Sequence, residues 1–292
     1  MSIHALIFRA AARHNDNKRD KGLAAPDDVL RFDDIPYGPD RRRNMLDIYR
    51  PKAGSGTLPV IVSVHGGGWV YGDKERYQYY CMSLAQHGFA VVNFTYRLAP
   101  RHKFPAALED TNAVFHWIAE NADSYGLDTG HVFAVGDSAG AQILGLFTCL
   151  CTNRAYADAM KIEPPEGFVP TAIALNCGIY HLAKSDKRDF ASGLMAAVLP
   201  GKGTPEELAR VSVLNNISAG FPPCYIMTCE GDFLAGEAPP LAEKLKSLGV
   251  PVVYRRYGDE NNVLYHVFHC DMRSKAGAQC NRDECDFFRQ YL

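Results

Sequence analysis

Apolar positions along the chain follow two periods that alternate with each other. His131-Val132-Phe133-Ala134-Val135 is short, β-branched and aromatic and reads as a central strand; Ala139 to Leu150 is almost wholly apolar and free of proline, and reads as a buried helix. The same alternation recurs on both sides. Strands are expected at Pro59 to Val64, Phe89 to Phe94, Thr171 to Cys177, Pro223 to Cys229 and Val250 to Tyr257. Helices are expected at Tyr77 to Gly88, from Pro105 to about Tyr125, at Pro240 to Leu248 and at Asn281 to Tyr291. Strands followed in turn by helices imply a mostly parallel sheet covered by helices on both faces, an α/β architecture.

Four stretches depart from that rhythm. Leu30 to Tyr37 and Met45 to Tyr49 are extended runs joined by a polar Gly-Pro-Asp-Arg turn, which suggests an antiparallel pair at the start of the sheet. Ala53-Gly54-Ser55-Gly56 marks a loop. At the N-terminus, Ile3, Leu6, Ile7 and Ala10 fall at i, i+3, i+4 and i+7, the mark of an amphipathic helix. The segment from Gly178 to Gly220 is too long for a plain connection. It carries helical signals of its own: Phe190, Leu194 and Val198 at i, i+4 and i+8, then a capping box from Thr204 to Glu207 with Pro205 between. Residues 1–28 and 178–220 are therefore expected to form a helical cap on a single domain spanning residues 1–292.

Composition narrows the function classes. A chain of 292 residues with 47% hydrophobic and 22% charged residues can fill one large α/β core with an elaboration. A formal net charge of −2 offers no electrostatic reason to bind nucleic acid, and Arg41-Arg42-Arg43 reads as a solvated turn. No apolar run reaches the roughly 18 residues that a membrane-crossing helix needs. The first residues lack the pattern of a secretory signal, and the nine scattered cysteines fit reduced, mostly buried thiols, so a cytoplasmic location is expected.

The chemistry gathers where strands end. Gly136-Asp137-Ser138-Ala139-Gly140 sits between the central strand and the buried helix, a G-x-S-x-G turn so tight that its neighbours must be small and its hydroxyl stands above the sheet edge. The pentapeptide alone arises by chance in about one in ten chains of this length. Its setting raises it, as does His65-Gly66-Gly67-Gly68-Trp69 directly after another strand, where three glycines leave backbone N–H groups free to converge on an anion. A serine hydroxyl needs a general base and a group to orient that base. Asp232 follows one downstream strand and His266 the next, in the chain order Ser, Asp, His. Glu230 and Asp259 compete for the acid, with Asp232 preferred for its position in the turn, and His269 is the rival base. His87, His116 and His131 read as surface or satisfied core residues. His266, His269, Cys270 and Asp271, with Cys280 and Cys285 nearby, match no familiar zinc spacing, so no metal is expected.

These blocks resemble the hormone-sensitive-lipase-like family of α/β-hydrolases. The likeness runs from about Leu46 to the C-terminus and rests on His65 to Trp69, Tyr96-Arg97-Leu98-Ala99-Pro100, Phe104-Pro105-Ala106-Ala107-Leu108-Glu109-Asp110 and Gly136 to Gly140. The resemblance implies an α/β-hydrolase fold with Ser138 as nucleophile, Asp232 and His266 as its partners, and an oxyanion hole from the amides of Gly67, Gly68 and Ala139. It implies the same cap that the pattern suggests. Two positions differ from the family: His266-Val267-Phe268 stands where His-Gly-Phe is usual, and Ala141-Gln142 where Gly-Asn is usual. Neither removes a catalytic group.

The expected activity is hydrolysis of short-chain acyl esters through an acyl-enzyme, with a small-molecule ester as partner and no cofactor. An amidase, formamidase or carbohydrate deacetylase would use the same residues, and a hydrolase-like receptor would keep the pocket without the chemistry. A homo-oligomer is compatible with all of this.

Overall fold

The computed structural model describes residues 2–53, 56–182 and 190–292. Gly54-Ser55 of the expected loop and residues 183–189 of the long insertion lie outside the described residues. In chain order the strands are β1 (Val29–Pro36), β2 (Met45–Pro51), β3 (Leu58–Val64), β4 (Ala90–Thr95), β5 (Leu127–Asp137), β6 (Ile173–Asn176), β7 (Cys224–Cys229) and β8 (Val252–Tyr257). The helices are α1 (Ile3–Asp20), α2 (Lys74–Ala85), α3 (Ala106–Tyr125), α4 (Ala139–Thr152), α5 (Arg154–Met160), α6 (Phe190–Val198), α7 (Pro205–Val211), α8 (Val213–Asn216), α9 (Ala238–Ser247) and α10 (Lys275–Arg289).

All eight strands form one sheet in the order β1-β2-β4-β3-β5-β6-β7-β8. β1 and β2 pair antiparallel, as do β2 and β4; from β4 to β8 every neighbouring pair is parallel. Side-chain alternation along buried strands splits the core in two. Val60, Val62 and Val64 of β3 and Val132 and Ala134 of β5 point to one face, where α3 and α4 supply Phe115, Ile118, Leu144 and Phe147. Ile61, Phe133 and Val135 point to the other, against Tyr80, Met82 and Leu84 of α2 and Phe287 and Phe288 of α10. Strands buried on both faces read as continuous apolar runs because neither set of side chains meets water.

A third, smaller cluster joins the N-terminal helix to the insertion. Ala5 of α1 packs with Leu194 and Val198 of α6, Val211 of α7, and Val70 and Tyr71 of the loop after β3. The His4 and Phe190 rings meet edge to face at 5.7 Å, and Gly193 lies so close to the His4 imidazole that any Cβ would overlap it. α7 opens with the expected capping box, the Thr204 hydroxyl accepting from the Glu207 amide at 3.3 Å.

Several element ends differ from the sequence reading, for local reasons. α2 begins before Tyr77 because the Asp73 side chain accepts from the Arg76 amide at 3.0 Å. α10 begins well before Asn281 because Ser274 caps the Gly277 amide at 3.1 Å. Pro105 takes the N-cap of α3 and not its first helical position. α5, which carries no apolar stripe of its own, starts from the side-chain cap of Asn153.

Candidate active site

β5 ends at Asp137 and α4 begins at Ala139, so Ser138 must reverse the chain by itself. It does so at φ 52° and ψ −118°, outside the comfortable regions for a residue with a Cβ. The flanking glycines are required by space. A Cβ on Gly136 would stand 2.6 Å from the Gly140 carbonyl oxygen, and one on Gly140 would overlap the carbonyl oxygen of Val64. The strained turn is held by the Ser138 N–H, which donates to the Asn176 carbonyl of β6 at 2.9 Å. No side chain caps the N-terminus of α4, which leaves the positive end of that helix open beside the serine.

The glycine turn after β3 faces this elbow. Gly67 and Gly68 take φ of 112° and 58°, and the Gly67 carbonyl accepts from the amides of Val70 and Tyr71. Among the described residues, no protein acceptor takes the amides of Gly67 and Gly68. The Gly66 amide, by contrast, is committed, donating to Asp137 Oδ1 at 3.2 Å and to the Tyr77 hydroxyl at 3.0 Å. Tyr77 in turn donates to Asp137 Oδ2 at 2.7 Å. Burial raises the Asp137 carboxyl to about 6, against the opposing pull of the Tyr77 hydrogen bond. His65 is buried beneath, stacked on Tyr96 with centroids 4.0 Å apart, and burial lowers its pKa to about 4, so it packs as a neutral ring.

Asp232 and His266 meet. His266 Nδ1 and Asp232 Oδ1 are 2.7 Å apart; the carboxylate also accepts from the Thr228 hydroxyl at 2.8 Å and the Leu234 amide at 3.0 Å. Burial pushes the Asp232 carboxyl up, but the hydrogen bond and charge of His266, with those two donors, hold it below its ordinary value. The imidazole is 19% exposed and leans on Phe233 with ring centroids 4.4 Å apart. Val267 adopts φ 55°, a left-handed conformation that glycine takes without strain, which accounts for the glycine usual there in the family.

The rivals are occupied elsewhere. Glu230 pairs with Arg256 at 2.5 Å, and Asp259 accepts the amides of Asn261 and Asn262 in its own exposed loop. His269 is fully buried against the edge of Tyr80, and burial lowers its pKa to about 3. Cys270, Cys280 and Cys285 are buried in the core between α2 and α10.

Two residues that the sequence pattern does not single out lie near this rim, one at it and one beneath it. Cys177, next after β6, is buried at φ 46°; its Sγ and donor atoms of Asp232 and His266 all lie within 4.8 Å of one another. The neighbouring Cys229 thiol and burial push the Cys177 thiol well up, so it is protonated. Glu284 of α10 is fully buried behind the elbow, accepting from Asn176 Nδ2 at 2.6 Å and Tyr80 at 2.9 Å. Cys177 comes from an apolar strand end and Glu284 from the charged run Arg282-Asp283-Glu284-Cys285-Asp286, and in neither does spacing alone single out the one polar group that the fold buries.

Beside the elbow, a mostly apolar crevice of about 20 Å³ lies between α3, α4 and α6, bordered by Trp69, Phe104, Leu108, Ile143 and Val198. Gln142 spans its edge. It accepts from Trp69 Nε1 at 2.8 Å and donates to the Val211 carbonyl of α7 at 2.7 Å, joining the glycine turn to the insertion.

Residues 61–269 match the family described as alpha/beta hydrolase fold. Among curated proteins, the chain is 30% identical to the carboxylesterase NlhH of Mycobacterium tuberculosis over 236 residues, 76% of this chain and 72% of that one. It is 30% identical to the versiconal hemiacetal acetate esterase of Dothistroma septosporum over 227 residues, 72% of this chain and 67% of the other. Esterase B of Lactobacillus rhamnosis superposes with a TM-score of 0.89 over 98% of this chain and 93% of its own, at 22% identity. The esterase of Pyrobaculum calidifontis does so at 0.80, covering 98% and 91%, with 25% identity. A matched family spanning most of the chain, with the glycine turn and serine elbow inside it, shows that this protein belongs to the hormone-sensitive-lipase-like branch of the α/β-hydrolases.

Proposed function

We propose that this carboxylic ester hydrolase cleaves short-chain acyl esters with Ser138 as nucleophile, His266 as general base and Asp232 as the group that orients it. The observation that carries the reading is the 2.7 Å bond between His266 Nδ1 and Asp232 Oδ1, made on the rim where the strained serine turn ends β5. With Nδ1–H held by the carboxylate, Nε2 is the nitrogen left to accept a proton.

Ser138 Oγ attacks the ester carbonyl as its proton passes to Nε2. The amides of Gly67, Gly68 and Ala139 receive the negative charge that develops on the carbonyl oxygen. Collapse of the tetrahedral intermediate expels the alcohol, which takes the proton from His266, and leaves the acyl group on Ser138. Water then repeats the sequence and releases the acid. Residues 1–28 and the described parts of 178–220 act as the cap, since α1 and α6 close over the glycine turn. A site closed over by that cap is limited in depth, which favours short acyl groups.

A fluorophosphonate should label the protein once per chain, at Ser138, and Ser138→Ala should lower kcat for p-nitrophenyl acetate by about six orders of magnitude. Retention of near wild-type turnover in Ser138→Ala would refute the assignment. Faster hydrolysis of palmitate than of acetate or butyrate esters would refute the short-chain preference.

A further inference from the structure

Among the described residues, one group of metal-competent side chains converges, and it includes the proposed base. Cys177 Sγ, an Asp232 carboxylate oxygen and a His266 ring nitrogen lie within 4.8 Å of one another, a sulfur, an oxygen and a nitrogen around one point. We infer that this triplet is an inhibitory site for a thiophilic divalent cation such as zinc, which binds there and switches the hydrolase off. The inhibitory half of this inference rests on the proposed role of His266; the binding half does not.

Thiolate, imidazole and carboxylate are the three donor types that zinc takes, and three protein ligands leave a fourth position for water. The carboxylate is already braced by the Thr228 hydroxyl at 2.8 Å and the Leu234 amide at 3.0 Å, as an outer shell would brace it. Cys177 Sγ spends its hydrogen-bonding capacity on soft neighbours, with Met227 Sδ at 3.8 Å, so re-aiming it sacrifices little. The partly exposed His266 provides the way in. Tetrahedral zinc holds its donors about 3.5 Å apart, so a rearrangement of roughly 1 Å is required, in which the 2.7 Å His266 Nδ1–Asp232 Oδ1 pair opens and Cys177 Sγ takes its place beside them. Side-chain rotation at Cys177 and His266 supplies it.

The exchange balances without any redox partner. The thiol releases its proton to solvent as the metal–sulfur bond forms, and the carboxylate binds as it stands. If the metal takes Nδ1, the ring proton moves to Nε2 and the lone pair that would receive the serine proton is gone. If it takes Nε2, that lone pair is used directly. In both cases general-base capacity is lost, and a chelator restores it.

The test uses the full chain, Zn²⁺ as inhibitor and Co²⁺ as spectroscopic probe, with Cys177→Ser and, as a second variant, Cys177→Ala. Both variants should keep basal esterase activity. Zn²⁺ should inhibit the wild type reversibly, and about tenfold or more metal should be needed for either variant. Co²⁺ should give a thiolate-to-metal charge-transfer band in the wild type that both variants lack. Equal inhibition of wild type and a folded variant, or a band that survives loss of Cys177, would overturn the inference. A band that disappears with Cys177, in a protein with no ester hydrolysis, would uphold the metal site and overturn the esterase reading instead.

Discussion

Glu284→Gln should flatten the pH dependence of stability, because the glutamate is buried without a cation. Its carboxyl oxygens accept from Asn176 and Tyr80, but those neutral donors do not replace the water lost. Burial is the main cause that raises its pKa from the ordinary 4.5 to about 7; the two hydrogen bonds oppose that rise and the charge of Asp137 adds to it. A carboxyl raised in the folded state holds its proton more tightly there than in the unfolded chain. Its contribution to stability is therefore complete below about pH 4.5 and is lost as pH rises through about 7. At about 1.36 kcal/mol per unit, the loss amounts to about 3 kcal/mol. Glutamine mimics the protonated acid, with its carbonyl accepting from Asn176 and its amide donating to the Tyr80 oxygen after the hydroxyl rotates. Urea unfolding of both proteins at about pH 5 and about pH 8 measures the difference, and the other titrating groups cancel between them. The variant should be within about 1 kcal/mol of wild type at the lower pH and more stable by up to about 3 kcal/mol at the higher one. Parallel stability curves would refute the reasoning.

Gly140→Ala should cost about 3 kcal/mol and most of the hydrolysis rate, because the added methyl meets the Val64 and His65 carbonyl groups, which cannot rotate away; Gly236→Ala, with nothing within 4 Å, is the neutral control by urea midpoint and kcat/KM. Gln142→Leu should lower stability by about 1–3 kcal/mol, since it strands both the Trp69 N–H and the Val211 carbonyl; an unchanged midpoint would show that the bridge contributes nothing.

How far the sequence disclosed these features follows from what each one depends on. The strand and helix alternation of the core was legible because neighbours along the chain suffice to mark it: Val60 to Val64 and Val132 to Val135 are apolar on both faces, and the sheet order follows from parallel crossovers. The glycines of the two turns were legible as motif positions, though only some answer to their own neighbours: Gly67 and Gly68 take positive φ and Gly136 crowds Gly140, whereas Gly140 meets Val64 and Gly66 meets Asp137 from across the sheet. Helix ends were less so. Asp73 and Ser274 are ordinary polar residues until the chain places them over the Arg76 and Gly277 amides. Cys177 and Glu284 were not legible at all, because their surroundings come from strands and helices up to 204 residues away in sequence. The preference for Asp232 over Glu230 rested on its place in the turn; in the structure Glu230 pairs outward with Arg256, whereas Asp232 turns in toward Thr228.

The two motifs occur together in one chain because one residue ties them. Asp137 is the second position of the serine turn, yet its carboxylate is spent on the Gly66 amide and on Tyr77 and not on any group of its own loop. Gly66 must itself be a glycine, since a Cβ there would stand 2.6 Å from Asp137 Oδ2. The backbone of the glycine turn is thus positioned from the serine turn's side, and the amides of Gly67 and Gly68 inherit their place from that bond. Loosening it moves the proposed oxyanion donors relative to the proposed nucleophile while leaving every one of them present. An Asp137→Asn protein should accordingly fold and still react with a fluorophosphonate, while its kcat falls about 10²-fold or more, the loss associated with a single misplaced oxyanion donor. Wild-type kcat in that variant would mean that the glycine turn keeps its geometry without the carboxylate, and the coupling between the motifs would have to lie in Tyr77 or in the β3–β5 pairing instead.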